Sequence, residues 1–427
     1  MTAGPKRMRV LLATDNYPPY IGGAQIQSRL IARELKERGH EVVVVTVWQN
    51  DIPATEDDDG VLVHRLRQLR TLPLVARKRR QHYQPPFPDP VTVAGLRRLI
   101  RRYRPDIVHS YGWFSYSCAA ALLGTDIPLL LTSRDYAYSC ATRTLFHNGG
   151  HCSGPGLMKC VRCAGAEYGP SKGLVAALGV RLSAPLLRRK LRAIHSISSY
   201  VQTIIRRDFL DDRNAETTAT GSIVHDVIGS VHEEDVSFES DGSLDRYLVQ
   251  LPAEPFLLFV GALRRVKGVG QLLEAYQQLQ EPPPLVLIGT LERDSPPLPP
   301  GVVVLRDLPH PAVLAAWERS LFGVLPSVLP EPFGTVVCEA MSRGKAVIGT
   351  QPGGHSDMIV PEETGLLVPP GDVHALTRAI ERLIQESRLR DRLGREARVR
   401  ARRFTPEVAI PRIERIYVEL MARNETQ

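Results

Sequence analysis

MRVLLATDNYPPYIGGAQIQSRLIARELKERGHEVVVVTV, residues 8–47, opens on a continuous apolar run, breaks into a Pro- and Gly-rich loop, and closes on a second apolar run. Runs such as MRVLLAT (8–14) and EVVVVTV (41–47) have no polar alternation, as expected of parallel strands covered on both faces. Between them, QIQSRLIARELKERGH carries apolar residues at helical spacing and stops at Gly39. Strand, glycine loop, helix, strand is how a doubly wound α/β domain begins. DIVHS (106–110) and PLLLTS (128–133) continue the pattern, while EDDDG (56–60) and QPPFPDP (84–90) read as surface loops.

The pattern restarts after the polar stretch HEEDVSFESDGS (232–243). FLLFVGA (256–262), PLVLIGT (284–290), VVVLRD (302–307), LFGVLPS (321–327) and KAVIGT (345–350) read as short strands between helices. A chain of 427 residues exceeds one ordinary core. The economical division is a first domain over 1–240, a second over 241–405, and a closing helix over 406–427 that contains Pro411 and packs back on the first domain.

No run of 18 apolar residues occurs, and GLVAALGVRLSAPLL (173–187) is broken by Arg181. No signal peptide is visible, so a cytoplasmic protein is expected, with peripheral contact at the inner face of the membrane. The net charge of +8 is uneven. Residues 1–240 hold 32 Lys and Arg against 23 Asp and Glu. The basic runs ARKRR (76–80), GLRRLIRRYR (95–104) and LLRRKLR (186–192) lie there. A solvated face explains such runs as well as a partner does. Nucleic-acid motifs and aromatic interleaving are missing, so nucleic acid is not expected; an anionic membrane surface or an anionic substrate is the better functional reading.

Ligands of open α/β sheets bind beyond the carboxyl ends of strands. Three such ends stand out. After the first strand, Gly22 and Gly23 allow close backbone approach, although a plain turn explains them too. After FLLFVGA, the loop LRRVKGVG presents Arg264, Arg265 and Lys267 ahead of a helix, where a phosphate or a mere surface charge would fit. After LFGVLPS, the stretch PEPFGTVVCEA (330–340) puts Glu331 in a loop and Glu339 in the second turn of a helix closed by Gly344. A carboxylate accepts from two adjacent hydroxyls, which suits a ribose diol or a sugar ring. A helix-dipole role would explain one glutamate but not both, nor an exposed Phe-Gly beside them.

PSVLPEPFGTVVCEAMSRGKAVIGTQPGGHSDMIVPEETGLLVPPGD (326–372) resembles the signature of the retaining GT-B glycosyltransferases of family 4. FVGALRRVKGVGQLL and NYPPYIGGAQIQSRLIARELKERGHEVVVVT resemble two further blocks, so the likeness runs over most of the chain. The resemblance implies two Rossmann-like domains facing across a cleft and transfer of a hexose from a UDP- or GDP-linked sugar. The acceptor would be a glycan, a glycolipid or another molecule of cell-surface polysaccharide or glycoconjugate synthesis.

On that analogy Glu339 would hold the ribose diol and Glu331 the donor sugar. Backbone N–H groups around Phe333, Gly334 and Thr335 would hold sugar hydroxyls and diphosphate, and Lys267 the departing diphosphate. No Asp-x-Asp arrangement stands at a strand end to hold a divalent ion, so no cofactor is expected for catalysis. No residue stands out as a covalent nucleophile, so front-face transfer is expected. Two departures matter. The family's arginine after the strand glycine is Ala262 here, leaving Arg264 as the candidate phosphate ligand. The family's Thr-x-His-Asp context is TSRDY here, placing Arg134 as a candidate donor to the sugar or an anionic acceptor. Both departures leave a non-catalytic nucleotide-sugar-binding subunit as an alternative, beside a phosphorylase on the same fold.

Cys140, Cys152, Cys160 and Cys163 crowd into the loop 140–163, which makes a structural zinc site a candidate, with unligated thiols or an iron–sulfur cluster as rivals. Cys118 and Cys338 read as small core residues.

Overall fold

The computed structural model describes residues 7–15, 17–19, 22–71, 84–210, 223–231, 244–292 and 294–425. The basic run 76–80 and the polar stretch 232–243 lie outside the described residues. The chain divides into two compact units, one of residues 1–145, 152–231 and 409–427, the other of 146–151 and 232–408.

In the first unit the strands are β1 (Arg9–Ala13), β2 (Glu41–Val47), β3 (Thr55–Asp58), β4 (Val61–Leu66), β5 (Ile107–Tyr111), β6 (Leu129–Ser133), β9 (Leu191–Ser196) and β10 (Val224–Val227). The two-residue β7 (Phe146–His147) and β8 (Gly150–His151) pair as a hairpin that groups with the second unit. The helices are α1 (Gly23–Glu37), α2 (Pro90–Tyr103), α3 (Phe114–Ala121), α4 (Leu157–Tyr168), α5 (Pro170–Lys190) and α6 (Ser199–Ile205). The eight strands order as β10-β9-β6-β5-β1-β2-β4-β3. All pairings are parallel except β3 with β4. Val10, Leu11 and Leu12 of β1 pair with both β2 and β5, which is why this strand is apolar on both faces.

The acidic stretch expected as a loop forms β3 instead. Its carboxylates face basic groups of α1: Arg29 Nε donates to Asp58 Oδ2 at 2.8 Å, and Tyr17 adds a hydroxyl at 2.8 Å. An antiparallel edge strand tolerates charge, and charge there deters pairing with another chain. QPPFPDP is likewise partly internal, since Gln84 and Asp89 are buried and Asp89 caps α2 by accepting from Thr92 N–H.

In the second unit the strands are β11 (Phe256–Val260), β12 (Leu285–Ile288), β13 (Val303–Leu305), β14 (Ser320–Val324), β15 (Val347–Thr350) and β16 (Leu366–Val368). Its helices are α7 (Asp245–Leu248), α8 (Val269–Gln277), α9 (His310–Arg319), α10 (Thr335–Ser342), α11 (His355–Met358), α12 (Val373–Gln385) and α13 (Ser387–Ala401). The sheet is parallel, ordered β13-β12-β11-β14-β15-β16. Strand order reverses between β11 and β14, so the loops leaving those two strands border the crevice where such sheets take ligands.

The last helix, α14 (Pro406–Glu425), is one element despite Pro411. From Ala409 onward it belongs to the first unit, where Ile410, Ile413, Ile416, Tyr417 and Leu420 join the core around β1, β2 and β5. Both sheets are the doubly wound kind read from the sequence, and among the described residues no helix is long and apolar enough to cross a membrane.

Candidate functional site

The loops leaving β11 and β14 are locked to each other by backbone. Val328 and Leu329 N–H groups donate to Val266 O at 3.0 and 3.2 Å. Gly268, at φ +75°, would place a Cβ 1.9 Å from Pro326 O, so only glycine permits this approach. Lys267 therefore ends its 3-10 turn directly opposite the glutamate loop.

Glu331 Oε1 accepts from Lys267 Nζ at 2.5 Å and from Ser327 Oγ at 2.6 Å. The glutamate is buried and the lysine a third exposed. Burial pushes the Glu331 carboxyl up, but the Lys267 charge and the hydrogen bonds from Lys267 and Ser327 outweigh it and hold the group below its ordinary value. A buried, ionised, oriented carboxylate with acceptor capacity left over is a built receptor for hydroxyl groups.

His355 stands behind this carboxylate. Its Nδ1 accepts from Thr350 N–H at 3.2 Å, and burial pushes its pKa down to about 4. The ring is therefore neutral, with its proton on Nε2, close to Gly334, where a Cβ would fall 2.8 Å from that nitrogen. Gly334 has φ +96° and is the residue ahead of α10. Two glycines complete the shell: a Cβ on Gly353 would lie 3.1 Å from Glu331 N, while Gly354 N–H donates to Glu331 O at 2.6 Å and a Cβ there would lie 2.3 Å from Pro332 O. The loop 330–334 is thus fixed from below by residues 353–355.

Thr335 opens α10, whose first turn supplies backbone donors and the positive end of the helix dipole. Glu339 lies one turn further on, where His310 Nε2 is 3.2 Å from its Oε1. Phe333, expected to be exposed, is instead 2% exposed and meets Phe404 edge-on at 5.4 Å between ring centroids. Its ring anchors the loop, leaving backbone rather than aromatic surface to the site. Arg264 Nε donates to Asp294 Oδ1 at 3.1 Å, so the cation nearest Ala262 already has a carboxylate partner.

The remaining candidates lie in the first unit. Gly22 is the extended residue capping α1 and Gly23 its exposed first residue. Arg134, at the end of β6, is turned inward: Nη1 donates to Ala24 O and Ser28 Oγ, each at 2.7 Å, and Nη2 to Thr14 Oγ1 at 3.0 Å. Its Cζ also lies 4.4 Å from the Tyr111 ring centre. Those contacts make it a brace between β1, β6 and the start of α1. Beside it, Arg143 donates to both Asp135 Oδ2 (2.6 Å) and Asp15 Oδ2 (3.2 Å), forming a half-buried cluster at the ends of β1 and β6.

The sequence reading named Asp135 only as Arg134's neighbour and missed Asp15, Arg143, Ser327 and His355. The GGH of 353–355, directly after β15, was the available signal for His355. Of the clustered cysteines, burial pushes the Cys160 and Cys163 thiols up, and the Cys140 and Cys152 thiols add to the rise, while Gly156 N–H, donating to Cys160 Sγ, opposes it there. Among the described residues, however, no three His, Cys, Asp or Glu side chains are grouped to hold a metal ion. Cys118 and Cys338 are buried, and burial pushes both thiols up.

Residues 249–400 match the family described as Glycosyl transferases group 1, and residues 22–221 match the Glycosyl transferase 4-like domain. A GDP-mannose-dependent alpha-mannosyltransferase of Mycobacterium tuberculosis is 26% identical over 396 residues, 89% of each chain. Among solved structures, sucrose-phosphate synthase of Thermosynechococcus elongatus superposes with a TM-score of 0.72 at 20% identity, covering 98% of this chain and 100% of that one. Anabaena HepE in complex with UDP-glucose does so at 0.66 and 17% identity, covering 98% and 100%. The two family matches together take in most of both units, and the chain belongs to the group 1 glycosyl transferases, as a glycosyltransferase of GT-B type.

Proposed function

We propose that the chain transfers a hexosyl group from a UDP- or GDP-linked sugar to a lipid-linked or glycan acceptor, with retention of configuration and without a metal cofactor. The observation that carries this reading is the Glu331 carboxylate, oriented by Lys267 and Ser327 at the strand-order reversal and set beside the first turn of α10. One relative named above is described as GDP-mannose-dependent and one similar structure was solved with UDP-glucose, which supports the same reading for this chain.

In the proposed reaction Glu339 accepts from the ribose diol and Glu331 from the sugar hydroxyls. The first-turn N–H groups of α10 and the Lys267 ammonium face the diphosphate. The bond between the anomeric carbon and the phosphate oxygen breaks, and its electron pair stays on that oxygen. The acceptor hydroxyl oxygen bonds to the same face of the carbon, and its proton passes to the departing phosphate. Negative charge grows on the diphosphate during this step, so fixed donors aimed there lower the barrier most. Arg134, braced inward, is a positioning residue in this scheme rather than a group that touches substrate. A thermal-shift panel of UDP, GDP and ADP, then their sugars, tests the reading. Stabilisation by one diphosphate, followed by turnover of its sugar, supports it; no response to any of them sinks it.

A further inference from the structure

In the first unit a cavity of about 610 Å³ opens between the loop 138–141, the Cys-rich segment 153–160, α5 and residues 207–209. The proposed reaction gives it no task. Three observations point to what it takes.

Ser139 lines the cavity and is 5% exposed, yet its Oγ has no hydrogen-bond partner among the described residues. A buried hydroxyl without a partner is costly, and native structures seldom leave one so. An acceptor atom arriving in the cavity would satisfy it.

Arg181 and Arg188 also line the cavity, seven residues apart on α5 and hence on one face two turns apart. Neither has a carboxylate partner among the described residues, although Arg188 lies 6.0 Å from the Phe209 ring centre. Arg207, by contrast, is closed off by a bidentate pair with Asp208. Two unpaired guanidinium groups and a donor hydroxyl make a phosphate receptor.

The same two helices expose large apolar side chains. Leu157 and Met158 on α4 are 45% and 64% exposed, and Leu174, Val175 and Leu182 on α5 are 45%, 50% and 73% exposed. Exposed apolar groups interleaved with basic ones on neighbouring helices fit the boundary of a lipid layer. Gly173 lets α4 and α5 meet closely, since a Cβ there would lie 2.3 Å from Gly165 N, so the two helices present this surface together.

We infer that this cavity binds the phosphate ester of a lipid, with Arg181, Arg188 and Ser139 on the phosphate and the exposed side chains of α4 and α5 against its chain. The inference rests on the proposed transfer to a lipid-linked acceptor, because the cavity shares the loop following β6 with the Asp135–Arg143 cluster. The phosphate comes either from the acceptor's own lipid carrier or from a bulk anionic phospholipid.

Flotation of the full chain with vesicles separates the cases. One arm uses phosphatidylcholine with phosphatidylglycerol, the other phosphatidylcholine with a small fraction of polyprenyl phosphate. Binding to either over phosphatidylcholine alone is expected, with the binding arm naming the source. The Arg181→Gln/Arg188→Gln pair should weaken it at least about tenfold. Ser139→Ala, which removes a hydroxyl that bonds to nothing among the described residues, should weaken it while leaving the melting temperature unchanged. Equal binding by wild type and both variants, or no vesicle binding at all, overturns the inference. Nucleotide-induced thermal shift, read in parallel, keeps the outcomes apart. Donor binding without vesicle binding removes only this inference, whereas vesicle binding without donor binding removes the proposed transfer.

Discussion

Lys267 Nζ donates to Glu331 Oε1 at 2.5 Å, joining the ends of β11 and β14 by the shortest side-chain ion pair of the site. The lysine is partly exposed and can turn toward a diphosphate, whereas the glutamate is buried with Ser327 as a second partner. Removing the lysine leaves a buried carboxylate with one donor fewer. Lys267→Ala should therefore lower kcat/KM by roughly a hundredfold or more, the scale of losing one preorganised donor to developing charge. Glu331→Gln keeps an acceptor for Ser327 but not the charge that orients Lys267, and should lower kcat more than it raises the donor KM. Initial rates at varied donor concentration measure both. Full activity of Glu331→Gln would remove this carboxylate from the site.

Protonation of buried histidines sets an acid limit on the fold. Burial pushes His195, His225 and His355 each down to about 4, against about 6.5 in an unfolded chain. Between those values the unfolded chain binds protons that the folded one does not, so stability falls as pH drops from about 6.5 toward 4. Each histidine contributes a slope of about 1.4 kcal/mol per pH unit within that window. Glu331 and Glu414 are held below their ordinary values, so their stabilisation is present above the unfolded carboxyl range and disappears only at lower pH. Urea midpoints from pH 7.5 to 5 should fall steadily, and His195→Gln should flatten the slope by about one proton. A flat wild-type profile would contradict these environments.

Gly354 and Gly270 separate two uses of glycine. Gly354 has an ordinary helical φ of −65°, so alanine is allowed by the backbone, yet its Cβ would lie 2.3 Å from Pro332 O and 2.6 Å from Phe333 Cα. Gly354→Ala must push the glutamate loop, with an expected cost of about 1–3 kcal/mol and weaker donor binding. At Gly270 in α8, no atom of the described residues outside its own stretch of helix lies within 4 Å of the added carbon. Gly270→Ala should be neutral or stabilising by up to about 1 kcal/mol. Denaturant unfolding and nucleotide titration of the pair would show whether crowding at the loop, rather than loss of glycine as such, matters.

The doubly wound architecture was legible because β1, β2, β6 and β11 are largely apolar runs in the middle of their sheets. β9 escaped reading because LRAIHS carries Arg192 and His195 in mid-strand, and the hydrogen-bond partners that make His195 tolerable come from distant β6 and Ile228. β3 escaped because its acidic residues find their partners elsewhere in the chain: Asp58 in Arg29 and Arg33 of α1, and Glu56 in Arg65 of β4. The two glutamates of the site were visible as a spacing. What orients Glu331 was not, since Lys267 and His355 reach it from other loops, and long-range pairing leaves no local pattern. The inward turn of Arg134 is of the same kind, set by Ala24, Ser28 and Thr14.

The most extended buried network ties the last helix to the first sheet, and it makes a directional prediction. His195 Nε2 faces the Ile228 carbonyl at 2.8 Å and must carry a proton, so its Nδ1 accepts from Thr132 Oγ1 at 2.9 Å. Thr132 Oγ1 in turn accepts from His109 Nε2 at 2.6 Å, leaving His109 Nδ1 to accept from the Tyr417 hydroxyl at 2.7 Å. Every donor in the chain runs from α14 toward β10. Tyr417→Phe deletes the first one and leaves a fully buried imidazole nitrogen unpaired, at a cost of about 1–3 kcal/mol. Tyr111 stacks on His109 at 4.5 Å, with its hydroxyl 3.5 Å from the same nitrogen, and is placed to take over. The single substitution should therefore fall at the low end of that range. Adding Tyr111→Phe should cost more in the Tyr417→Phe background than in the wild type. Urea unfolding of the four-member cycle measures that coupling, and strict additivity would show that Tyr111 gives His109 no second donor.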